Sequence, residues 1–111
     1  MNSEEAVSIW NLQRPLYKLL ETYKKRIGIS PASVHLLQVM NVRRGSSRVF
    51  NPSSVCADCY GTTFRWRQFK WLRLNGYITK LGKFEYCFEN KAIEFLEAFN
   101  SELEAKIRLQ K

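Results

Sequence analysis

The residues of this chain that could do chemistry are mostly basic, and they lie close together along the sequence. Residues 41–83 include nine arginines and lysines and a single acid, Asp58. This segment alone therefore accounts for the formal net charge of the whole chain, which is +8. Because charge concentrated in one segment attracts a polyanion, the pattern predicts a nucleic-acid-binding surface rather than a merely solvated face. Aromatic residues interleaved with the basic ones favour the same interpretation: Phe64, Trp66, Phe69 and Trp71.

Capping residues and hydrophobic periodicity predict the elements that position these side chains. A first helical region spans residues 4–27, with Ser3 as its cap and a break or kink at Pro15. Ser30-Pro31 predicts the start of a second helix, which stops before Gly45. Further helices are predicted over residues 53–60, from Thr62 or Thr63 to about residue 75, and from residue 90 nearly to the end.

Short strands are predicted around the last two of these helices. Residues 47–50 read as a strand stub, and residues 77–80 and 84–88 read as two strands joined by a hairpin at Leu81-Gly82-Lys83. The predicted fold class is therefore mainly α with a small β-hairpin (α+β), in a single domain of 111 residues. This element order is that of a winged helix-turn-helix, with residues 41–83 as its reading head.

The helix from residue 62 to residue 75 is the predicted recognition helix. At 100° per residue, Phe69 and Leu72 point inward while Arg67 and Lys70 point outward, as entry into the major groove of DNA requires. The alternative is the polar outer face of a structural helix. The residues expected to contact DNA are Arg48, Ser53, Thr62, Thr63, Arg65, Arg67, Lys70, Arg73, Lys80 and Lys83.

The stretch Asn51-Pro52-Ser53-Ser54-Val55-Cys56-Ala57-Asp58-Cys59-Tyr60-Gly61, followed by Phe69, Leu72 and Asn75-Gly76-Tyr77-Ile78, resembles the MarR family of winged-helix regulators. These residues look like that family's scaffold helix, recognition helix and exit into the wing, and Ser30-Pro31 with Leu36-Leu37 looks like its preceding helix. The resemblance implies a cytoplasmic, prokaryotic-type transcription regulator that binds duplex DNA as a homodimer. It also implies a dimer interface on the terminal helices, residues 4–27 and 90–110, whose apolar stripes supply Leu12, Leu16, Leu96, Phe99, Leu103 and Ile107.

Two departures from that family concern the wing. The hairpin at Leu81-Gly82-Lys83 is much shorter than the family's long basic wing, and no pair of an acid and an arginine follows Ile78. Insertion of the wing into the minor groove is therefore not expected, and Lys80 and Lys83 are expected to contact phosphates.

The cysteines allow a sharper but less favoured hypothesis. Cys56 and Cys59 have the spacing of a metal or redox pair, which Cys87 and His35 could complete. The same spacing also places two residues on one buried helix face, and free cysteine is often buried, so core packing and no metal are predicted.

Other classes of protein are disfavoured. A single histidine and the lack of a phosphate-binding glycine loop argue against an enzyme, and no cofactor is expected. Three cysteines argue against a secreted disulfide framework, and no apolar run is long enough to cross a bilayer, so a cytoplasmic protein is predicted. Two alternatives to DNA binding stay open: a winged-helix module for protein docking or assembly, and a thiol or metal sensor on the same fold.

Overall fold

The computed structural model describes residues 1–10, 14–52 and 66–109, which form helices packed around a small antiparallel sheet. Its mainly helical α+β class is the one that the sequence predicts. In chain order the elements are α1 (Ser3–Ser8), α2 (Arg14–Ile27), α3 (Pro31–Arg43), β1 (Val49–Phe50), α4 (Trp66–Leu74), β2 (Ile78–Lys80), β3 (Tyr86–Phe88) and α5 (Asn90–Leu109).

The first helical region is two helices, α1 and α2. Pro15 lies in the first turn of α2, where a missing backbone N–H costs no helical hydrogen bond. The predicted cap of α1 is wrong by one residue, because Asn2 caps it and Ser3 is already helical. The Asn2 side chain accepts a hydrogen bond from the Glu5 backbone N–H at 2.9 Å, and the Glu5 carboxylate accepts one from the Asn2 N–H at 3.4 Å. This reciprocal pair is a capping box.

Helix α3 begins as its sequence predicts. The Ser30 hydroxyl accepts a hydrogen bond from the Ser33 backbone N–H at 3.2 Å, and Pro31 occupies the first helical position. The helix ends at Arg43, and Gly45 follows with a φ of 62°.

Helix α4 ends in a Schellman motif. The Tyr77 N–H donates to the Leu72 carbonyl at 3.0 Å, and the Gly76 N–H donates to the Arg73 carbonyl at 3.2 Å. Gly76 adopts a φ of 81°, a backbone conformation that glycine reaches without a Cβ clash. Lys91 of α5 donates to the Asn75 carbonyl at 2.6 Å, which ties the end of α4 to the start of α5.

The sheet has three strands in the order β1-β3-β2, all antiparallel. The predicted strand stub is β1, and it pairs with β3 of the hairpin. Tyr86 of β3 lies between Phe50 of β1 on one side and Lys80 of β2 on the other. The connection between β2 and β3 is longer than predicted. Strand β3 begins at Tyr86, so Phe84 belongs to the tip of the hairpin instead of the strand.

A single large core joins the helices to the sheet. Its fully buried members come from every long element and include Leu16, Leu19, Leu37, Met40, Phe69, Leu72, Ile78, Phe88, Leu96, Phe99 and Leu103. One polar pair lies inside it. The side-chain amides of Gln38 in α3 and Asn100 in α5 are both buried and donate to each other. This pair satisfies both amides where α3 meets α5.

Candidate nucleic-acid interface

Helix α4 separates its basic side chains from its apolar ones, as the helical wheel predicts. Phe69 and Leu72 are 2% and 0% exposed, whereas Arg67, Lys70 and Arg73 are exposed to solvent. The buried pair holds the helix in the core, so the three cations lie on a fixed surface. Arg67 also borders a shallow cleft that Ser30 and Ser33 line at the start of α3.

Aromatic contacts set the position of α4 against the sheet. The ring of Phe69 meets the ring of Tyr86 in β3 edge to face, with centroids 5.0 Å apart. The ring of Trp71 stacks on that of Tyr77 at 5.9 Å, and Tyr77 in turn meets Phe95 of α5 at 5.9 Å. Such pairs favour defined ring orientations, so α4 has little freedom to rotate about its axis.

The sheet brings further cations close to α4. The Arg73 guanidinium lies 5.9 Å from the ring centroid of Tyr86, the first residue of β3. Lys80, which lies opposite Tyr86, and Lys83 in the loop that follows it are both exposed, and Arg48 is exposed directly before β1. The Arg48 carbonyl accepts a hydrogen bond from the Phe88 N–H at 2.8 Å, which anchors its backbone to β3.

Arg44 belongs to the predicted basic segment but has an internal role. Its guanidinium lies 4.6 Å from the ring centroid of Phe88 and donates to the Asn41 side chain at 2.9 Å and to the Ser47 carbonyl at 3.1 Å. Burial, together with the nearby charge of Arg48, lowers the pKa of Arg44 below its usual value. Arg44 therefore closes the turn between α3 and β1.

Some predicted contact residues lie outside the described part of the chain. These are Ser53, Thr62, Thr63 and Arg65 of the DNA-contacting set, Leu12 of the dimer set, and the cysteine pair Cys56 and Cys59. The six described residues of the DNA-contacting set are all exposed: Arg48, Arg67, Lys70, Arg73, Lys80 and Lys83.

The residues predicted for the dimer interface require a correction. Leu16 and Phe99 are fully buried, and Leu96 and Leu103 are at most 1% exposed, within a single chain. Helix α5 packs its apolar stripe against α2 and α3, so the stripe is part of the protein's own core. Ile107 is half-buried against the same core. Of this set, Leu16, Leu96, Phe99 and Leu103 therefore offer a second copy no apolar surface.

Two exposed apolar side chains at the hairpin tip escaped the sequence reasoning. Leu81 and Phe84 are 56% and 60% exposed. The predicted strand over residues 84–88 includes Phe84. Gly82 marks the turn but does not fix its length, so the local sequence does not locate Phe84 at the tip.

Of the residues that could form a metal or thiol site, the structure describes His35 and Cys87. Among the described residues, no group of three histidine, cysteine or acidic residues is placed to hold a metal ion. His35 packs against the Trp10 ring at 4.8 Å. Burial raises the pKa of the Cys87 thiol, and Glu89 beside it raises the pKa further.

Among the described residues, no helix has the length and apolar character needed to cross a membrane.

Comparison with protein-family models, curated proteins and solved structures found no match to this chain.

Proposed function

We propose that this chain is a cytoplasmic winged helix-turn-helix protein, similar to the MarR regulators, that binds duplex DNA sequence-specifically and controls transcription. The observation that carries the proposal is the division of α4 into a buried apolar face and an exposed face with Arg67, Lys70 and Arg73. A helix anchored in this way can enter the major groove without disturbing the core. The strand pairing that joins β1 to the hairpin also fits a winged helix.

The exposed cations divide into two groups by the contacts they would make. Arg67 and Lys70 lie on the outer face of α4 and would meet base edges, since arginine and lysine pair with the O6 and N7 atoms of guanine. Arg48, Lys80 and Lys83 lie on or beside the sheet and would contact phosphates, which carry no sequence information directly. Specificity therefore belongs to α4 and general affinity to the sheet.

Homodimer formation is part of the proposal, but it requires another surface than the predicted stripe. The exposed apolar residues Tyr17 of α2 and Leu109 of α5 offer one. A two-fold dimer would bind two half-sites with centres about 10 bp apart, or a larger multiple of the helical turn. Selection of bound sequences from a random duplex pool tests this, with the mass of the complex measured on the same sample.

The decisive variant is Arg67→Ala. Loss of a bidentate guanine contact should weaken binding to the selected site by about 1–3 kcal/mol and relax the preference at one base pair. Arg48→Ala should instead weaken binding to all sequences and lower the slope of log K against log salt by about one unit. Lys18→Ala, which removes an exposed charge from α2, is the control. Equal losses on selected and random DNA for both Arg67→Ala and Lys70→Ala would show that α4 does not read bases.

A protein-docking module is the second candidate, because Leu74 on α4 is 76% exposed. An apolar side chain in that position fits a protein surface as well as it fits a groove. Duplex binding with a steep dependence on salt concentration would favour a DNA-binding function, and the lack of such binding would favour a protein-docking function.

A further inference from the structure

The tip of the hairpin between β2 and β3 carries apolar side chains that lie outside the hydrophobic core. Leu81 and Phe84 leave more than half of their surface exposed, although Tyr86 two residues further on is buried in the core. A single exposed apolar residue is ordinary on a protein surface, but two in the loop of one hairpin form an apolar tip.

This tip is held in a defined position. The backbone N–H groups of Leu81 and Gly82 both donate to the Glu85 carbonyl, at 2.9 and 3.2 Å, which closes the connection. Lys80 is paired with Tyr86 in the sheet, and the Tyr86 ring packs 5.0 Å from that of Phe69 in α4. The position of the tip relative to the exposed face of α4 is therefore set by strand pairing and core packing.

The charges around the tip identify its partner. Lys80 and Lys83 are exposed, and the Lys83 ammonium lies 5.3 Å from the ring centroid of Phe84. Glu85 is the acid of this loop. An apolar ring flanked by cations complements a polyanion with an apolar interior, and stacked bases between phosphate backbones have that character.

We propose that Phe84, with Leu81 of the same loop, inserts between two base pairs from the minor groove and bends the bound duplex. This inference rests on the proposed function and adds a determinant of specificity to it. Apolar wedges of this kind partly unstack a base step and kink DNA by about 20–90°. The short hairpin argued against a long basic wing reaching along the minor groove, whereas a wedge needs only one ring at the tip. Lys80 and Lys83 keep their phosphate contacts.

A consequence is a sequence preference without hydrogen bonds to bases. Pyrimidine–purine steps such as TA and CA unstack most easily, so the wedge favours such a step beside the site that α4 reads. The preferred step is then set by deformability, and it should persist when Arg67 is replaced.

The test uses the full chain and a selected duplex that carries fluorophores at both ends and 2-aminopurine at the candidate step. The wild-type protein should shorten the end-to-end distance and raise the 2-aminopurine emission. Phe84→Ala should abolish both signals and weaken binding by about 5-fold or more, because stacking on an aromatic ring contributes roughly that factor or above. Phe84→Leu should retain the bend, since leucine also serves as a wedge.

Two controls separate the wedge from other effects. Lys83→Ala should weaken binding and lower the salt slope while the bend persists. Ile27→Ala removes another exposed apolar side chain, at the end of α2, and should change neither signal. Far-ultraviolet circular dichroism should be the same for all variants, because these side chains lie outside the core.

The outcomes distinguish the inference from the function on which it rests. A wild-type protein that binds no duplex overturns both. One that binds its selected site and leaves the DNA straight, with Phe84→Ala equal in affinity, overturns the wedge alone. In that case the exposed ring is explained by a protein partner.

Discussion

The buried amide pair between α3 and α5 gives a prediction whose size follows from the structure. Gln38 is 0% exposed and Asn100 is 4% exposed, and each side chain donates one hydrogen bond to the other. Among the described residues, no buried side-chain nitrogen or oxygen is without a partner. Replacing one amide of this pair therefore leaves buried polar groups of the other without a hydrogen-bond partner.

The expected loss can be worked out from the number of groups left unsatisfied. Asn100→Leu keeps a similar volume but leaves one donor and one acceptor of Gln38 without their partner. Each buried polar group left in this way costs about 1–3 kcal/mol. With two such groups, we expect the free energy of unfolding to fall by about 2–6 kcal/mol, and Gln38→Met should cause a similar loss. In a chain of this size, each kcal/mol lowers Tm by roughly 4 °C.

The double variant Gln38→Met/Asn100→Leu should recover most of this loss. When both partners become apolar, no polar group is stranded and the change is nearly neutral, within about 1 kcal/mol. The assay is urea unfolding of the four proteins followed by tryptophan fluorescence and circular dichroism, with the coupling energy taken from the double-mutant cycle. Glu21→Gln, which removes an exposed ion pair with Lys25 at 3.7 Å, is the surface control and should change stability by less than about 0.5 kcal/mol.

Additive losses in the double variant would refute this reasoning. They would show that the two amides contribute independently, for example through contacts with the surrounding backbone, and not through each other. Losses below about 1 kcal/mol in both single variants would refute it as well, since the site would then be accessible to water.

Two further variants test the fold at other positions. Gly76→Ala should destabilise the protein by about 1–2 kcal/mol in thermal unfolding, because a φ of 81° is a left-handed conformation that disfavours a residue with a Cβ. A steric clash is not the cause, since the added Cβ would lie 3.9 Å from the nearest atom, in the Lys91 side chain. Gly82→Ala, at a glycine without positive φ and with open space around it, should cost less than about 0.5 kcal/mol, and equal losses would show that backbone conformation is not the cause. Leu103→Glu should unfold the chain instead of dissociating a dimer, since burial of a carboxylate at a 0% exposed position costs about 4 kcal/mol or more out of a typical total of about 5–15 kcal/mol. A dimeric wild-type protein together with a folded, monomeric Leu103→Glu variant, in sedimentation and circular dichroism, would restore the dimer interpretation of that stripe.

Local signals in the sequence were sufficient where neighbouring residues decide the structure. The start of α3 depends on two groups within one helical turn. The Ser30 hydroxyl caps the helix, and the Pro31 ring occupies its first position. The two faces of α4 follow from helical periodicity, which places Phe69 and Arg67 on opposite sides whatever surrounds the helix. The predicted scaffold helix, residues 53–60, lies outside the described residues and stays a prediction.

Tertiary packing alone decided what the apolar faces and the short strands contact. Periodicity shows that Leu96 and Leu103 share a face of α5, but it cannot tell whether α2 and α3 of the same chain or a second copy covers that face. The pairing of β1 with β3 joins residues far apart in sequence, and the mutual hydrogen bonds of Gln38 and Asn100 do the same. Contacts of this kind depend on how the elements are arranged in space. The sequence of one segment shows the chemical character of each side chain, but it does not show which distant residue that side chain contacts.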